Sequence, residues 1–206
     1  MMRITLFDYG AGNLHSLAKA LGGDGRTVSL ETDPRAALDT DVLVLPGVGA
    51  FAPAAAALAP AREAMRAALG DGLPCLGVCL GMQLMFEASD EGPGEGLGVF
   101  RGRVERLRAA RVPQIGWNTL DDARDARIRR AGLTTAYYAN SFVCRAADAD
   151  DVIAWSTHEG DRFPAAVRRG AALGVQFHPE KSSAPGLAFV REFLDAVADD
   201  TLSRTP

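Results

Sequence analysis

The ten residues Pro74–Gln83 constrain this chain more than any other stretch. An apolar run ends at Gly77, Cys79 stands between Gly77 and Gly81, and a helical pattern follows in Met82–Gln83–Leu84–Met85–Phe86. Strand, sharp turn and helix make a nucleophile elbow, here G-x-C-x-G. The glycines let two backbone segments pass closely around a strained residue. A cysteine so placed lies at a helix N-terminus, where free N–H groups and the helix dipole favour a thiolate. The N–H of Leu80, next after it, is then a natural oxyanion donor.

A second stretch gives that cysteine a base. In Gly174–Val175–Gln176–Phe177–His178–Pro179–Glu180 the pattern reads as the end of a strand. On extended chain residues i and i+2 share a face, so His178 and Glu180 are expected to project together. Glu180 would hold one ring nitrogen while the other takes the thiol proton. The other histidines fit the role less well. His15 falls within the first helix as a surface or packing residue, and His158, beside Glu159, falls in a turn. Cys75 and Cys144 read as small buried hydrophobes. Scattered histidines and no close Cys/His cluster give no ligand set, so no metal and no cofactor are expected.

Composition narrows the class. In 206 residues, 48% are hydrophobic and the net charge is −4. This fits one domain spanning 1–206, with no basic surface for nucleic acid. No apolar run reaches the roughly 18–20 residues of a membrane span, and Met1–Asp8 is too short and too soon charged for a signal peptide. Three cysteines, an odd count, argue for a reducing cytoplasm. Of the 22 basic residues only Lys19 and Lys181 are lysine. Lys181 follows Glu180, so either a compact ammonium is needed there or its survival is chance.

The first half predicts strands at Arg3–Asp8, Arg26–Leu30, Asp41–Leu45 and Pro74–Val78. They alternate with a helix through about Leu21, a short turn at Asp33–Pro34 and a helix from about Pro53 to Leu69. That is a parallel sheet with helices on both faces, whose active site lies beyond the carboxyl ends of the strands. The Pro46–Phe51 loop and Cys79 both fall there. Gly47–Val48–Gly49–Ala50 is a poor dinucleotide signature, with no suitably placed acidic residue. It is better read as a loop laying backbone N–H groups against a substrate. Beyond Ser89 the chain turns strand-rich: Gly98–Arg108, Val112–Trp117, Thr134–Ala139, Val152–Ser156, Ala165–Arg169 and Ala172–Phe177. A final helix spans about Pro185–Ala198, and Asp121–Gly132 is a surface helix or a loop. The expected architecture is α/β, a parallel central sheet with a largely antiparallel C-terminal half laid against it.

At five places the sequence resembles the class I (triad) glutamine amidotransferases, and within them the glutaminase subunits of imidazole glycerol phosphate synthases. These are Asp8–Leu14, Pro46–Phe51, Gly77–Gln83, Pro113–Asn118 and His178–Ser182. The resemblance covers nearly the whole chain. It implies a glutaminase in which Cys79 attacks the side-chain amide of glutamine and His178 and Glu180 complete the triad. Leu80 and either Val48 or Gly49 would supply oxyanion donors, and Gln83 would contact the substrate. For the substrate ammonium the candidate acceptor is Glu91, with Glu87 second. For its carboxylate the candidates are backbone N–H groups near Ser141 and Phe142. The family usually has His and Tyr where this chain has Asn140 and Phe142, which puts those side-chain contacts in question. The implied partner is a cyclase subunit that takes the ammonia in histidine biosynthesis, with Asn13, the Gly116–Trp117–Asn118 segment and Lys181 toward the interface. The competing readings are another class I amidotransferase, an independent γ-glutamyl or cysteine hydrolase on the same scaffold, which would turn over γ-glutamyl peptides alone, and a silent binding subunit.

Overall fold

The computed structural model describes residues 1–10, 14–23 and 25–203, with the backbone alone for 200–203. Its spine is a seven-stranded sheet. Five parallel strands are β1 (Met2–Phe7), β2 (Arg26–Glu31), β3 (Val42–Leu45), β4 (Cys75–Val78) and β12 (Ala172–Val175); β10 (Val152–His158) and β11 (Asp161–Arg169) run antiparallel at one edge. The order is β10-β11-β12-β4-β3-β1-β2. Strand β4, which leads to Cys79, therefore lies between β3 and β12, which lead into the two stretches expected to join it.

Alternation along the strands assigns the two faces. Ile4, Leu6, Val42, Val44, Leu76 and Val78 bury against Leu17 and Leu21 of helix α1 (His15–Leu21) and Phe189, Val190 and Phe193 of helix α6 (Ser183–Ser203). Phe7, Leu43, Leu45 and Cys75 bury on the other side, against helices α2 (Phe51–Leu58) and α3 (Arg62–Gly70). Each fully buried Leu, Val or Phe contributes about 1.5–3 kcal/mol. The continuous helix expected over about 53–69 is broken: Ala59–Ala61 form a 3-10 turn containing Pro60. Proline has no N–H to continue the α-helical ladder.

The C-terminal half is largely antiparallel, but it is not one separate sheet. β10, β11 and β12 extend the central sheet. β5 (Ala88–Ser89), β6 (Gly102–Arg106) and β9 (Phe142–Ala146) form a three-stranded sheet, and β7 (Gln114–Thr119) pairs with β8 (Thr135–Asn140). Within the charged stretch 121–132 a helix, α5 (Ala126–Arg130), is capped by the Asp125 carboxylate, which accepts from the Arg127 N–H at 2.9 Å. Among the described residues no helix is long and apolar enough to cross a membrane.

The elbow is packed backbone against backbone. A Cβ at position 77 would stand 2.7 Å from the backbone of Gly81, and one at position 81 would collide with the Leu45 carbonyl at the end of β3. Backbone on both sides leaves nothing that can move aside. Gly81→Ala is expected to destabilise the chain by about 3 kcal/mol, lowering the thermal midpoint by about 10 °C. Gly70→Ala, which meets nothing within 4 Å, is the control, and a melting curve for each checks the pair.

Candidate active site

Cys79 joins β4 to helix α4 (Leu80–Leu84) with φ 47° and ψ −102°, a conformation costly for a residue with a side chain. Its N–H donates to the Val175 carbonyl at 2.7 Å, and its own carbonyl accepts from the Gln83 N–H at 3.1 Å. The strained residue is thus fastened to β12 on one side and to its own helix on the other. α4 is only five residues long. The local N–H groups of its first turn, Leu80 among them, matter more than an extended dipole.

His178 and Glu180 meet as expected, by a different backbone route. β12 ends at Val175, and Pro179–Lys181 form a 3-10 turn with His178 at its start. The extended i, i+2 argument therefore does not apply at Glu180; the turn that Pro179 opens brings its side chain back. His178 Nδ1 lies 2.9 Å from Glu180 Oε1. A carboxylate only accepts, so Nδ1 carries a proton toward Glu180 and the other ring nitrogen is left for the thiol. The second carboxylate oxygen, Oε2, is buried with no hydrogen-bond partner among the described residues. The imidazole is therefore this carboxylate's main source of compensation.

Burial pulls the imidazole down, but the hydrogen bonds and charges of Cys79 and Glu180 together outweigh it and push His178 up to about 9. Burial pushes the other two thiols, Cys75 and Cys144, well above the ordinary thiol range. They are inert bystanders, as the sequence suggests.

The 46–50 loop reaches the site through Gly47. A Cβ there would lie 3.0 Å from both Cys79 Cβ and His178 Cε1, so backbone is wedged between the cysteine and the histidine. The sequence marks this loop as one that lays backbone against a substrate, but names Val48 and Gly49 rather than Gly47 as its site residues. Val48 is partly buried and Gly49 is exposed with φ 101°. Glu91 accepts from the Phe51 N–H at 3.0 Å, which places it against the same loop. Glu87 is turned away, onto the Gly102 N–H at 2.7 Å.

Gln83 is buried and does not face open solvent. Its Nε2 donates to the Phe142 carbonyl at 3.1 Å and to Gln176 Oε1 at 3.4 Å. The Phe142 backbone is thus brought to the site, while the Ser141 carbonyl accepts from the Leu107 N–H at 2.9 Å. Asn140, where the family usually has His, donates its Nδ2 to the same Phe142 carbonyl at 3.1 Å. Gln176 was not anticipated as a site residue, yet its Nε2 lies 3.5 Å from Cys79 Sγ. His158 is elsewhere, with Nε2 on the Arg111 carbonyl at 3.0 Å.

Next to the triad is an exposed patch. Trp117 and Ile115, on one face of β7, are 55% and 68% exposed. Trp117 packs edge-on against Tyr137, over whose ring Lys181 Nζ sits at 6.0 Å. The Tyr137 carbonyl accepts from the His178 N–H at 2.8 Å, and the Tyr137 N–H donates to Ser182 Oγ at 2.9 Å. Asn13 lies outside the described residues.

A cysteine on a strand-to-helix elbow, with a histidine and a glutamate from the neighbouring parallel strand's end, defines a triad amidotransferase. The family model for class-I glutamine amidotransferases matches residues 5–197, and the chain belongs to that family. Within it, the chain is 42% identical to a protein of Symbiobacterium thermophilum over 97% of this chain and 96% of that one. It is 37% identical to one of Corynebacterium diphtheriae over 95% and 99%. Both relatives are named imidazole glycerol phosphate synthase subunit HisH. Among solved structures, a glutamine amidotransferase superposes with a TM-score of 0.72 at 21% identity over 95% of this chain and 98% of that one. A PurLQS structure from Thermotoga maritima gives 0.73 at 18% identity over 96% and 100%. These two share the fold.

The raised His178 has a consequence with a definite sign. Its folded value lies above the ordinary 6.5, so the protonated ring stabilises the fold fully below about pH 6.5 and that contribution is lost as pH rises through about 9. In Glu180→Gln the His178 titration followed by NMR should move down toward 6.5. The stability gap between wild type and variant should narrow from pH 6 to pH 10. A midpoint unmoved by the variant would refute the pairing.

Proposed function

We propose that residues 1–206 act as one glutamine amidotransferase domain in which Cys79, His178 and Glu180 hydrolyse glutamine. The chain is the glutaminase subunit of imidazole glycerol phosphate synthase, and its partner is the cyclase subunit. The observation that carries the catalytic assignment is the clustering itself: His178 Nδ1 at 2.9 Å from Glu180 Oε1, and Cys79 and His178 meeting across Gly47, where a Cβ would lie 3.0 Å from each.

The chemistry follows from the geometry. His178 takes the Cys79 proton, and the sulfur attacks the side-chain amide carbon of glutamine. The carbonyl π pair moves to oxygen, where the Leu80 N–H and an N–H of Val48 or Gly49 hold the charge. Each such donor typically lowers the barrier by about 3 kcal/mol. When the oxyanion collapses the carbon–nitrogen bond breaks, and His178 returns its proton to the departing ammonia. Water, deprotonated by His178, then cleaves the thioester to glutamate. Glu180 keeps the ring oriented and compensates its charge throughout. Glu91, beside the loop, is the acceptor for the substrate ammonium, and backbone at Ser141 and Phe142 faces the carboxylate.

The ammonia passes to the cyclase subunit, which makes imidazole glycerol phosphate and aminoimidazole carboxamide ribonucleotide in histidine biosynthesis, a cytoplasmic process. The Ile115–Trp117–Lys181 patch suits the docking of that subunit. It joins exposed apolar area to a cation, and the backbone of Tyr137 ties it to His178. Asn13 belongs to the same proposed interface.

Glutamate release from glutamine tests this reading, measured for the chain alone, with a cyclase subunit, and with that subunit and its ribonucleotide. Activity should be low alone and rise strongly with the loaded partner, and Cys79→Ala should lose more than about a thousandfold. Full activity alone, unmoved by the partner, would favour an independent hydrolase. Trp117→Ala should weaken the partner's effect while leaving the chain's own slow hydrolysis in place.

A further inference from the structure

Outside the triad, the side chain of Gln176 lies within hydrogen-bonding reach of Cys79. It is fully buried at the foot of β12 and is placed by main chain, its N–H donating to the Ala165 carbonyl at 2.9 Å. A wholly buried glutamine beside a cysteine could simply be a satisfied core amide. The order of its hydrogen bonds gives it a direction instead.

That direction starts at the Phe142 carbonyl, which can only accept. It takes Asn140 Nδ2 and Gln83 Nε2, each at 3.1 Å, so the nitrogen of Gln83 faces it. The second hydrogen of that nitrogen points at Gln176, 3.4 Å away, and what meets it there must be the oxygen. The Gln176 amide is thereby fixed in one orientation, with Nε2 toward Cys79 Sγ at 3.5 Å. Flipping it would set two donors together at Gln83 and leave an oxygen against the sulfur.

We propose that Gln176 is a catalytic residue, whose side-chain amide donates a hydrogen bond to the Cys79 sulfur and stabilises the thiolate while its proton resides on His178, aimed for this by the chain of bonds from the Phe142 carbonyl through Gln83. This rests on Cys79 being the nucleophile. No new bond is made or broken: the S–H proton goes to His178, and the sulfur lone pair left behind accepts the amide N–H until it attacks. A donor to a charged acceptor is worth more than one between neutral groups, and more again out of water. The ionisable groups around the sulfur are few. His178, and Glu180 behind it, come from the turn after β12; Cys144, on β9, is kept neutral by burial. Residues 46–50 and 80–84 carry no charged side chain.

The test reads the sulfur directly. Alkylation of Cys79 by iodoacetamide, followed by mass spectrometry across pH, is compared in wild type, Gln176→Met and Gln176→Glu. The Met variant keeps the volume and loses the donor; the Glu variant keeps the shape and puts an anion against the sulfur. At pH 7 the Met variant should react about tenfold more slowly, the Glu variant more slowly still, and both pH midpoints should move up by about one unit. With the chain folded by thermal melt, wild-type rates and midpoints in the Met variant would overturn the proposal. Should neither variant fold, NMR of the unmutated chain decides. The Gln176 side-chain amide protons should shift as Cys79 titrates, and this response should vanish in Cys79→Ala; no shift in wild type overturns the proposal. In the glutaminase assay kcat should fall with KM nearly unchanged. If wild type releases no glutamate, the functional reading fails while the alkylation result still decides this one.

Discussion

Everything at the active site depends on the seating of one strained residue. Cys79 is held at positive φ by backbone alone, its N–H on the Val175 carbonyl at 2.7 Å and Gly81 pressed against the Leu45 carbonyl. β4 sits between β3 and β12, so the elbow is gripped from both sides by the strands whose ends carry the rest of the machinery. The Gly47 loop comes from one and the Gln176–Glu180 segment from the other. Strain at such a point persists only when the surroundings over-determine it, and here a parallel sheet buried on both faces does so.

The electrostatics follow from that placement. Cys79 and His178 are 7% and 4% exposed, and burial works against charge on either. The site meets this with a series of partners rather than with solvent. Glu180 supports the ring, and Gln176 approaches the sulfur. Gln83 and Asn140 converge on the Phe142 carbonyl. Little of this depends on the Phe142 side chain, so its lack of a hydroxyl leaves the arrangement intact. Asn140, with a short amide, supplies the donor that the carbonyl accepts.

How much of this was legible in the sequence varied with the range of the interaction. The elbow was written locally, because Gly-x-Cys-x-Gly is a steric requirement of the turn itself. The histidine and glutamate were legible from spacing, although the backbone between them is a 3-10 turn and not a strand. The parallel half was clear from alternating apolar runs and helices. The C-terminal strands were visible, but not their division among three sheets, which depends on long-range pairing such as β12 with β4. The strand Phe142–Ala146 escaped notice because Arg145 interrupts its apolar character, and in the fold that arginine finds Asp161 at 2.6 Å. Gln176 escaped because a polar residue at a strand's end carries no local sign of facing a cysteine far away in the sequence.

The hairpin of β7 and β8 links the two aspects of the molecule. It presents Ile115 and Trp117 outward, while its inner strand bonds through Tyr137 to the backbone of His178 and to Ser182. The outward face of the hairpin is therefore one backbone hydrogen bond from His178, the proposed base.

The central claim is that this geometry makes Cys79, and no other thiol, the nucleophile toward a glutamine side chain. The most direct measurement is covalent trapping with a diazoketone analogue of glutamine, read by peptide mass spectrometry on the intact chain. The account predicts a single adduct on Cys79, suppressed by excess glutamine, with Cys75 and Cys144 unmodified. An adduct on either of those residues, or labelling of Cys79 that glutamine does not slow, would contradict it.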